Sequence, residues 1–231
     1  MQRILIETQT PVTLVGAGPV SRRQIADSLL VAPELYAADG GAQKTVGLSR
    51  PLRAVIGDLD SLTRDETWRN SGTQIIEIDE QDTTDFEKCL SIIRAPLIVG
   101  LGFLDGRLDH QIAALGALVA SPLPVILVGR TDLCLHVPSD IVLDLSPGTR
   151  LSLMPINPVT VTGSGLRWPL DHLTLAPGGR TGVSNVTVAP QVRVATGGPG
   201  CLLVLPRRHL AALARQVLAG ALARPLSTPA H

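Results

Sequence analysis

Along roughly the first 130 residues, short apolar runs alternate with segments of helical spacing. The runs fall at 12–15, 35–38, 54–56, 74–78, 97–99 and 125–128 and are rich in Val, Ile and Leu. Between them, Ile25, Leu29 and Leu30, then Phe86, Leu90 and Ile93, then Ile112, Leu115 and Val119 recur at the intervals of an amphipathic helix. A central parallel strand is covered on both faces, so it reads as a continuous apolar run rather than as an alternation. The pattern therefore predicts βαβ units: an α/β, Rossmann-like domain with a mainly parallel sheet and helices on both faces. From about Leu133 the texture shifts to short alternating strands at 141–145, 150–154, 159–162, 183–188, 192–195 and 201–205, separated by Gly and Pro. Such spacing predicts an all-β sandwich. After Pro206, apolar residues at 210, 213, 214, 217, 218, 221 and 222 predict an amphipathic helix over 210–223, ahead of Pro225. The expected division is an α/β catalytic domain at 1–132, a β-sandwich at 133–206, and a terminal helix and tail at 207–231.

Composition narrows the function classes. The chain has 231 residues, is 45% hydrophobic, and carries 20 Lys+Arg against 20 Asp+Glu, so it has core material but no net charge. Zero net charge removes the basic footprint of a nucleic-acid binder, and five aromatic residues offer few stacking platforms. Cys89, Cys134 and Cys201 are far apart, with no paired spacing, and read as reduced core residues of a cytoplasmic protein. The first ten residues lack the apolar core of a signal peptide. The uncharged stretch 111–129 has the length of a membrane span, but Ser121, Pro122 and Pro124 divide it into helix, turn and strand. No membrane association is expected. Charge is unevenly spread: residues 1–135 hold 17 acids and 12 bases, and ten of the acids lie between Asp58 and Glu87. An acidic cluster of that kind is either a solvated face or a cation site.

Four loops carry candidate chemistry. Residues 16–21, Gly-Ala-Gly-Pro-Val-Ser, follow an apolar strand as in a dinucleotide fingerprint, with Ser21 in place of the third glycine; a ligand-free tight turn explains them equally well. Asp39, Gly40 and Gly41 form a second glycine-rich turn, in which Asp39 is a candidate helix cap. Asp58 and Asp60 are two apart, so on an extended segment both carboxylates face one point, where Mg2+ would relieve their repulsion. A helix cap at Asp60 would account for one of the two. Thr84 and Glu87 fit a capping box, which leaves Asp82 and Asp85 to reach the same crevice or to complement the helix dipole. Arg107 is a phosphate donor at a helix start expected near His110, Asp109 a candidate cap, and His110 by itself a structural histidine. Glycine, carboxylate and arginine chemistry at one sheet edge is the make-up of metal-assisted phosphoryl transfer. No Walker A motif and no G-x-S-x-G elbow occurs.

In order along the chain, residues 38–42 (ADGGA), 57–61 (GDLDS), 79–85 (DEQDTTD) and 106–110 (GRLDH) resemble thiamin pyrophosphokinases, and 165–170 (GLRWPL) with Ser184 and Asn185 extend the similarity over roughly 12–205. The resemblance implies transfer of pyrophosphate from ATP to the hydroxyl of thiamin, with Mg2+, by a homodimer that holds thiamin near its interface. It implies that Asp58, Asp60, Asp82 and Asp85 are the catalytic carboxylates, with Asp58, Asp60 and Asp82 on the metal. It also implies that Asp39, Gly40, Gly41, Arg107, Asp109 and His110 lie on the ATP side, and Trp168, Ser184 and Asn185 on the thiamin side. An indole face suits a permanent cation such as the thiazolium. Gln43, Leu59 and Asp105 depart from the family's usual residues. The rival readings are a pyrophosphokinase for another hydroxymethyl heterocycle such as a pterin, a nicotinamide-dependent oxidoreductase built on Gly16–Gly18, and a catalytically silent nucleotide-binding regulator.

Overall fold

The computed structural model describes residues 5–61, 68, 70–137 and 139–221. The α/β part runs β1 (Ile6–Glu7), β2 (Val12–Val15), α1 (Arg22–Leu29), β3 (Glu34–Ala38), a 3-10 turn (Asp39–Thr45), β4 (Leu52–Gly57) and β5 (Gln74–Glu77). It continues through α2 (Asp85–Ile92), β6 (Ile93–Arg94), β7 (Ile98–Leu101), α3 (Leu108–Ala120) and β8 (Val125–Val128). Then come β9 (Asp132–Val137), β10 (Asp140–Asp144), β11 (Arg150–Pro155), β12 (Val159–Ser164), β13 (Leu170–Leu175), β14 (Gly182–Val186), β15 (Gln191–Thr196), β16 (Cys201–Pro206) and α4 (Leu210–Gln216).

Among the described residues these strands form an α/β fold with mixed sheets. The largest has ten strands in the order β14-β11-β16-β9-β8-β7-β2-β3-β4-β5. From β8 to β5 every pairing is parallel. Sheet order reverses between β7 and β2, because β2 to β5 grow outward on one side while β7 and β8 lie on the other. At β8 the next strand, β9, joins antiparallel, and β16, β11 and β14 follow. The ten-stranded sheet thus runs without interruption past residue 132, where the sequence texture changes. A second, antiparallel sheet, β10-β15-β12-β13, shares one apolar cluster with it: Val161, Val192 and Val194 join Leu135, Leu151 and Leu203.

Alternation inside the parallel strands explains their apolar texture. In β3, Leu35 and Ala37 enter one core and Tyr36 and Ala38 the other; in β4, Val55 faces one and Ala54 and Ile56 the other. Ile25 of α1 covers the first core, while Phe86 and Leu90 of α2 and Leu118 of α3 cover the second. Two capping boxes start helices. Thr84 and Glu87 form the expected one; the second is Ser21 with Gln24, which explains the serine that interrupts the glycine pattern.

Several expectations are corrected. The helix expected from His110 begins at Leu108, and the strand expected at 97–99 is Ile98–Leu101. Strands β9 and β13 were not among the expected runs. In β13, His172 takes a positive φ of 47° and the pairing with β12 shifts register, so the strand lacks a clean alternation. Asp39 does not cap a helix: the turn that starts there is 3-10, with Ala38 at its cap position and no side-chain bond. The terminal helix is α4 followed by a wider turn, Val217–Ala221, with Gly220 in the left-handed region. Residues 222 and 223 of the expected helix, and the tail, lie outside the described residues. Gln216 gives α4 a structural task, since its Oε1 accepts from Asp144 N (2.7 Å) and its Nε2 donates to Asp144 O (3.3 Å) on edge strand β10.

Gly41 packs its Cα against the end of β2, where an added Cβ would overlap the Val15 carbonyl oxygen. Neither atom is the end of a flexible side chain, so Gly41→Ala should cost about 3 kcal/mol and lower Tm by roughly 6–12 °C. Thermal melting checks this; an unchanged Tm would mean that the turn yields freely.

Candidate active site

Four loops leave the carboxyl ends of four neighbouring parallel strands: Gly16 after β2, Asp39 after β3, Asp58 after β4 and Gly102 after β7. That edge includes the point where the strand order reverses, the usual ligand crevice of an open α/β sheet. It holds a cavity of about 520 Å3 lined by Asp39, Asp58, Asp85, Lys88, Asp105, Arg107 and His110, with Ala17–Pro19 and Thr83–Thr84 around it.

Three carboxylates draw together. Asp39, Asp58 and Asp60 each place one oxygen within 4.8 Å of the others. Asp58 and Asp60 converge as their spacing suggests, but not along an extended segment. Leu59 sits in the left-handed region at φ 65°, and Asp60 N donates to Asp58 Oδ1 (3.4 Å), so a tight turn does the work. Gly57 admits the close approach of the next pair: a Cβ there would come within 2.8 Å of Asp39 Cβ and 3.2 Å of Asp85 Oδ1.

Asp39 is 2% exposed, and its Oδ1 is buried without a hydrogen-bond partner. Burial pushes its carboxyl above the ordinary range, against the partial relief of the Gly40 N–H and the Ser61 hydroxyl. Asp85 is also raised, by burial and then by the charges of Asp39 and Asp58. Asp58 moves the other way, because Lys88 donates a hydrogen bond to it.

Lys88 is the site residue that sequence reasoning missed. It is 2% exposed, with Nζ 2.8 Å from Asp58 Oδ2 and 3.6 Å from Asp85 Oδ1. Burial works against its charge, but Asp58 and Asp85 outweigh that and raise its pKa. A signal was present: Lys88 is four residues before buried Ile92 and next to buried Cys89, hence a cation inside the apolar stripe of its helix.

The other expected residues divide. Asp82 lies in the loop before Thr84, outside the three-carboxylate group and not on the cavity wall. Gly40 and Gly41 flank Asp39 without lining the cavity. Arg107 and His110 reach the wall; Asp109 does not, and pairs with Arg107 at 2.6 Å on the exposed rim. Trp168, Ser184 and Asn185 sit elsewhere, among the antiparallel strands. Asn185 accepts from Trp168 N (3.1 Å) and donates to Trp168 O (2.8 Å), clamping a tryptophan that is 53% exposed and has Arg167 5.7 Å from its ring centroid. Ser184 N donates to Ser152 Oγ (3.0 Å).

The glycine-rich turn after β2 is not free to cradle a phosphate through Gly16 and Gly18. Gly16 N is bonded to Leu101 O (2.8 Å) and Gly18 N to Gly102 O (3.1 Å). Lys44 Nζ donates back to the carbonyls of Ala17 (2.8 Å) and Gly18. With those groups committed, the turn no longer supports a nicotinamide-dependent oxidoreductase.

A sheet edge that gathers carboxylates and two cationic side chains around one cavity belongs to the class of α/β phosphoryl-transfer proteins. Comparison with known proteins narrows this. Residues 28–126 match the thiamin pyrophosphokinase catalytic domain, and residues 135–199 the thiamin pyrophosphokinase vitamin B1 binding domain. A relative named thiamine pyrophosphokinase 1 from Oryza sativa subsp. japonica is 31% identical over 182 residues, covering 70% of this chain and 68% of its own. Its namesake from Arabidopsis thaliana is 31% identical over 164 residues, covering 60% and 59%. In fold, the chain is similar to the thiamin pyrophosphokinase of Candida albicans, with a TM-score of 0.73 at 15% identity over 87% of this chain and 93% of that one. The Geobacillus thermodenitrificans structure gives 0.69 at 20% identity, over 85% and 97%. The chain belongs to the thiamin pyrophosphokinase family, a family of ATP-dependent pyrophosphotransferases.

Proposed function

We propose that the protein transfers the pyrophosphoryl group of ATP to the hydroxyl of thiamin, giving thiamin diphosphate and AMP. The observation that carries this reading is the convergence of Asp39, Asp58 and Asp60 at the carboxyl ends of β3 and β4. Three hard carboxylate oxygens drawn together suit Mg2+. Asp39, Asp58 and Asp60 would hold it, and when bound it supplies charge neutralisation for the triphosphate. Membership of the family supports ATP and thiamin as substrates. Residues 1–132 are read as a Rossmann-like ATP-binding unit and 133–206 as the thiamin-binding sandwich.

In the reaction, the thiamin hydroxyl oxygen forms a bond to the β-phosphorus of ATP while the bond from that phosphorus to the α-bridging oxygen breaks. AMP leaves with the electron pair, and the hydroxyl proton passes to a carboxylate. Asp85, which lines the cavity outside the group of three and whose carboxyl burial raises above its ordinary range, is the carboxylate suited to accept it. Lys88 and Arg107 face the cavity as cations for the phosphate oxygens, and the chain's main contribution is to hold these groups in place.

Trp168 offers an exposed indole to the thiazolium, and pairing into a homodimer would bring it to a partner's cavity. Three buried free cysteines suit the cytoplasm. Among the described residues no helix is long and apolar enough to cross a membrane. The test is AMP release from ATP and Mg2+: AMP should form with thiamin and not without it, nor with a hydroxymethylpterin in its place. Thiamin-independent release, or none, would overturn the reading.

A further inference from the structure

A buried lysine within a group of carboxylates has two possible roles, and they differ in the sign of one measurable effect. Lys88 bonds Asp58 at 2.8 Å and reaches Asp85 at 3.6 Å, from a helix packed on β4. Asp58 is also one of the three carboxylates that draw together with Asp39 and Asp60. If Lys88 were only a brace, its loss would disorder Asp58 and weaken cation binding. A unit positive charge in contact with one ligand, however, opposes a divalent ion at that ligand and shields the carboxylates from one another.

We propose that Lys88 is a tethered counter-ion of the carboxylate site, which occupies Asp58 in the empty enzyme and competes with the divalent cation for it. It is a positioning residue that sets cation affinity. The cavity also gives the ammonium a second destination. Lys88 lines the same wall as Arg107, so an incoming triphosphate can take its hydrogen bonds and release Asp58. The free ion would then bind poorly by itself and well together with the nucleotide, so that the site loads both at once. This inference rests on reading Asp39, Asp58 and Asp60 as cation ligands.

The experiment is Mn2+ binding to the full chain without nucleotide or thiamin, followed by the electron paramagnetic resonance of the free ion, for wild type, Lys88→Met, Lys88→Gln and Lys88→Arg. Both neutral variants should bind Mn2+ about tenfold tighter than wild type, while Lys88→Arg matches wild type. Melting gives a second readout: without metal the neutral variants should melt lower than wild type, and Mn2+ should raise their Tm by more. Unchanged or weaker Mn2+ binding in a folded neutral variant overturns the counter-ion role while leaving the cation site standing. Should Lys88→Met not fold, Lys88→Gln, which retains a hydrogen-bond donor, decides. Absence of Mn2+ binding in every form, including wild type, overturns the cation site and this inference with it.

Discussion

Asp39→Asn should yield a protein that is more stable than wild type and nearly inactive. The carboxylate at this position is 2% exposed and has one oxygen without a hydrogen bond. A neutral amide of almost the same shape removes the buried charge. The backbone accepts the change as well, because φ is +37° at Asp39 and Asn is among the residues that best tolerate positive φ. A gain of about 1 kcal/mol corresponds to a Tm higher by roughly 2–4 °C for a chain of this size. Turnover should fall at least about 100-fold, since Asp39 is one of the three carboxylates that draw together. The pH dependence carries the sign. The folded pKa of Asp39 lies above its unfolded value, so its contribution to stability is present below the unfolded pKa and lost as pH rises through the folded one. The Tm advantage of the variant should therefore be full at neutral pH and close as the solution is acidified toward the ordinary carboxylate range. Calorimetry at several pH values checks this, and a variant that melts below wild type at neutral pH refutes it.

Asp58→Asn and Asp60→Asn should be equally inactive but unequal in stability. Both lose a carboxylate from the group of three, and turnover should drop at least about 100-fold in each. Asp60 is exposed, and among the described residues its hydrogen bonds are to its neighbours Ser61 and Asp58, so Tm should hold within about a degree. Asp58 is the principal partner of buried Lys88. Its loss leaves that ammonium with the longer contact to Asp85, at 3.6 Å, as its ion pair among the described residues, at a cost of about 2 kcal/mol, or roughly 4–8 °C. Adding Lys88→Met to Asp58→Asn should recover most of the lost Tm and none of the activity. Near-normal turnover in Asp60→Asn would remove it from the cation site, and an undiminished Tm in Asp58→Asn would show that the ion pair contributes little.

Much of this architecture was legible in the sequence, for identifiable reasons. Strands β2, β3, β4 and β8 are buried on both faces, so their apolar runs stood out without any alternation to decode. β13 did not, because positive φ at His172 and a register shift break its period, and those are consequences of pairing with β12. At the site, the Asp58–Asp60 spacing pointed to a shared target, although the convergence depends on the left-handed Leu59 rather than on an extended strand. The roles of Asp39 and Lys88 were hidden because they depend on burial. A glycine turn and a helix packed on β4 enclose them, and nothing local distinguishes them from a cap or a solvated charge. The serine that seemed to spoil the glycine pattern is the start of α1.

The unbroken ten-stranded sheet has a practical implication for anyone wishing to cut the chain at its change of texture. Separating the halves after β8 would break a pairing of three positions: β8 would bare the flank where Ile126, Leu127 and Val128 had faced β9, and the remaining fragment would bare the matching flank. Each piece would carry a fresh adhesive margin of apolar strand, open to pairing with another molecule. Soluble, independently behaving fragments are therefore not to be sought at that seam, because the strands beneath the cavity and the antiparallel strands beyond β8 are planks of one floor.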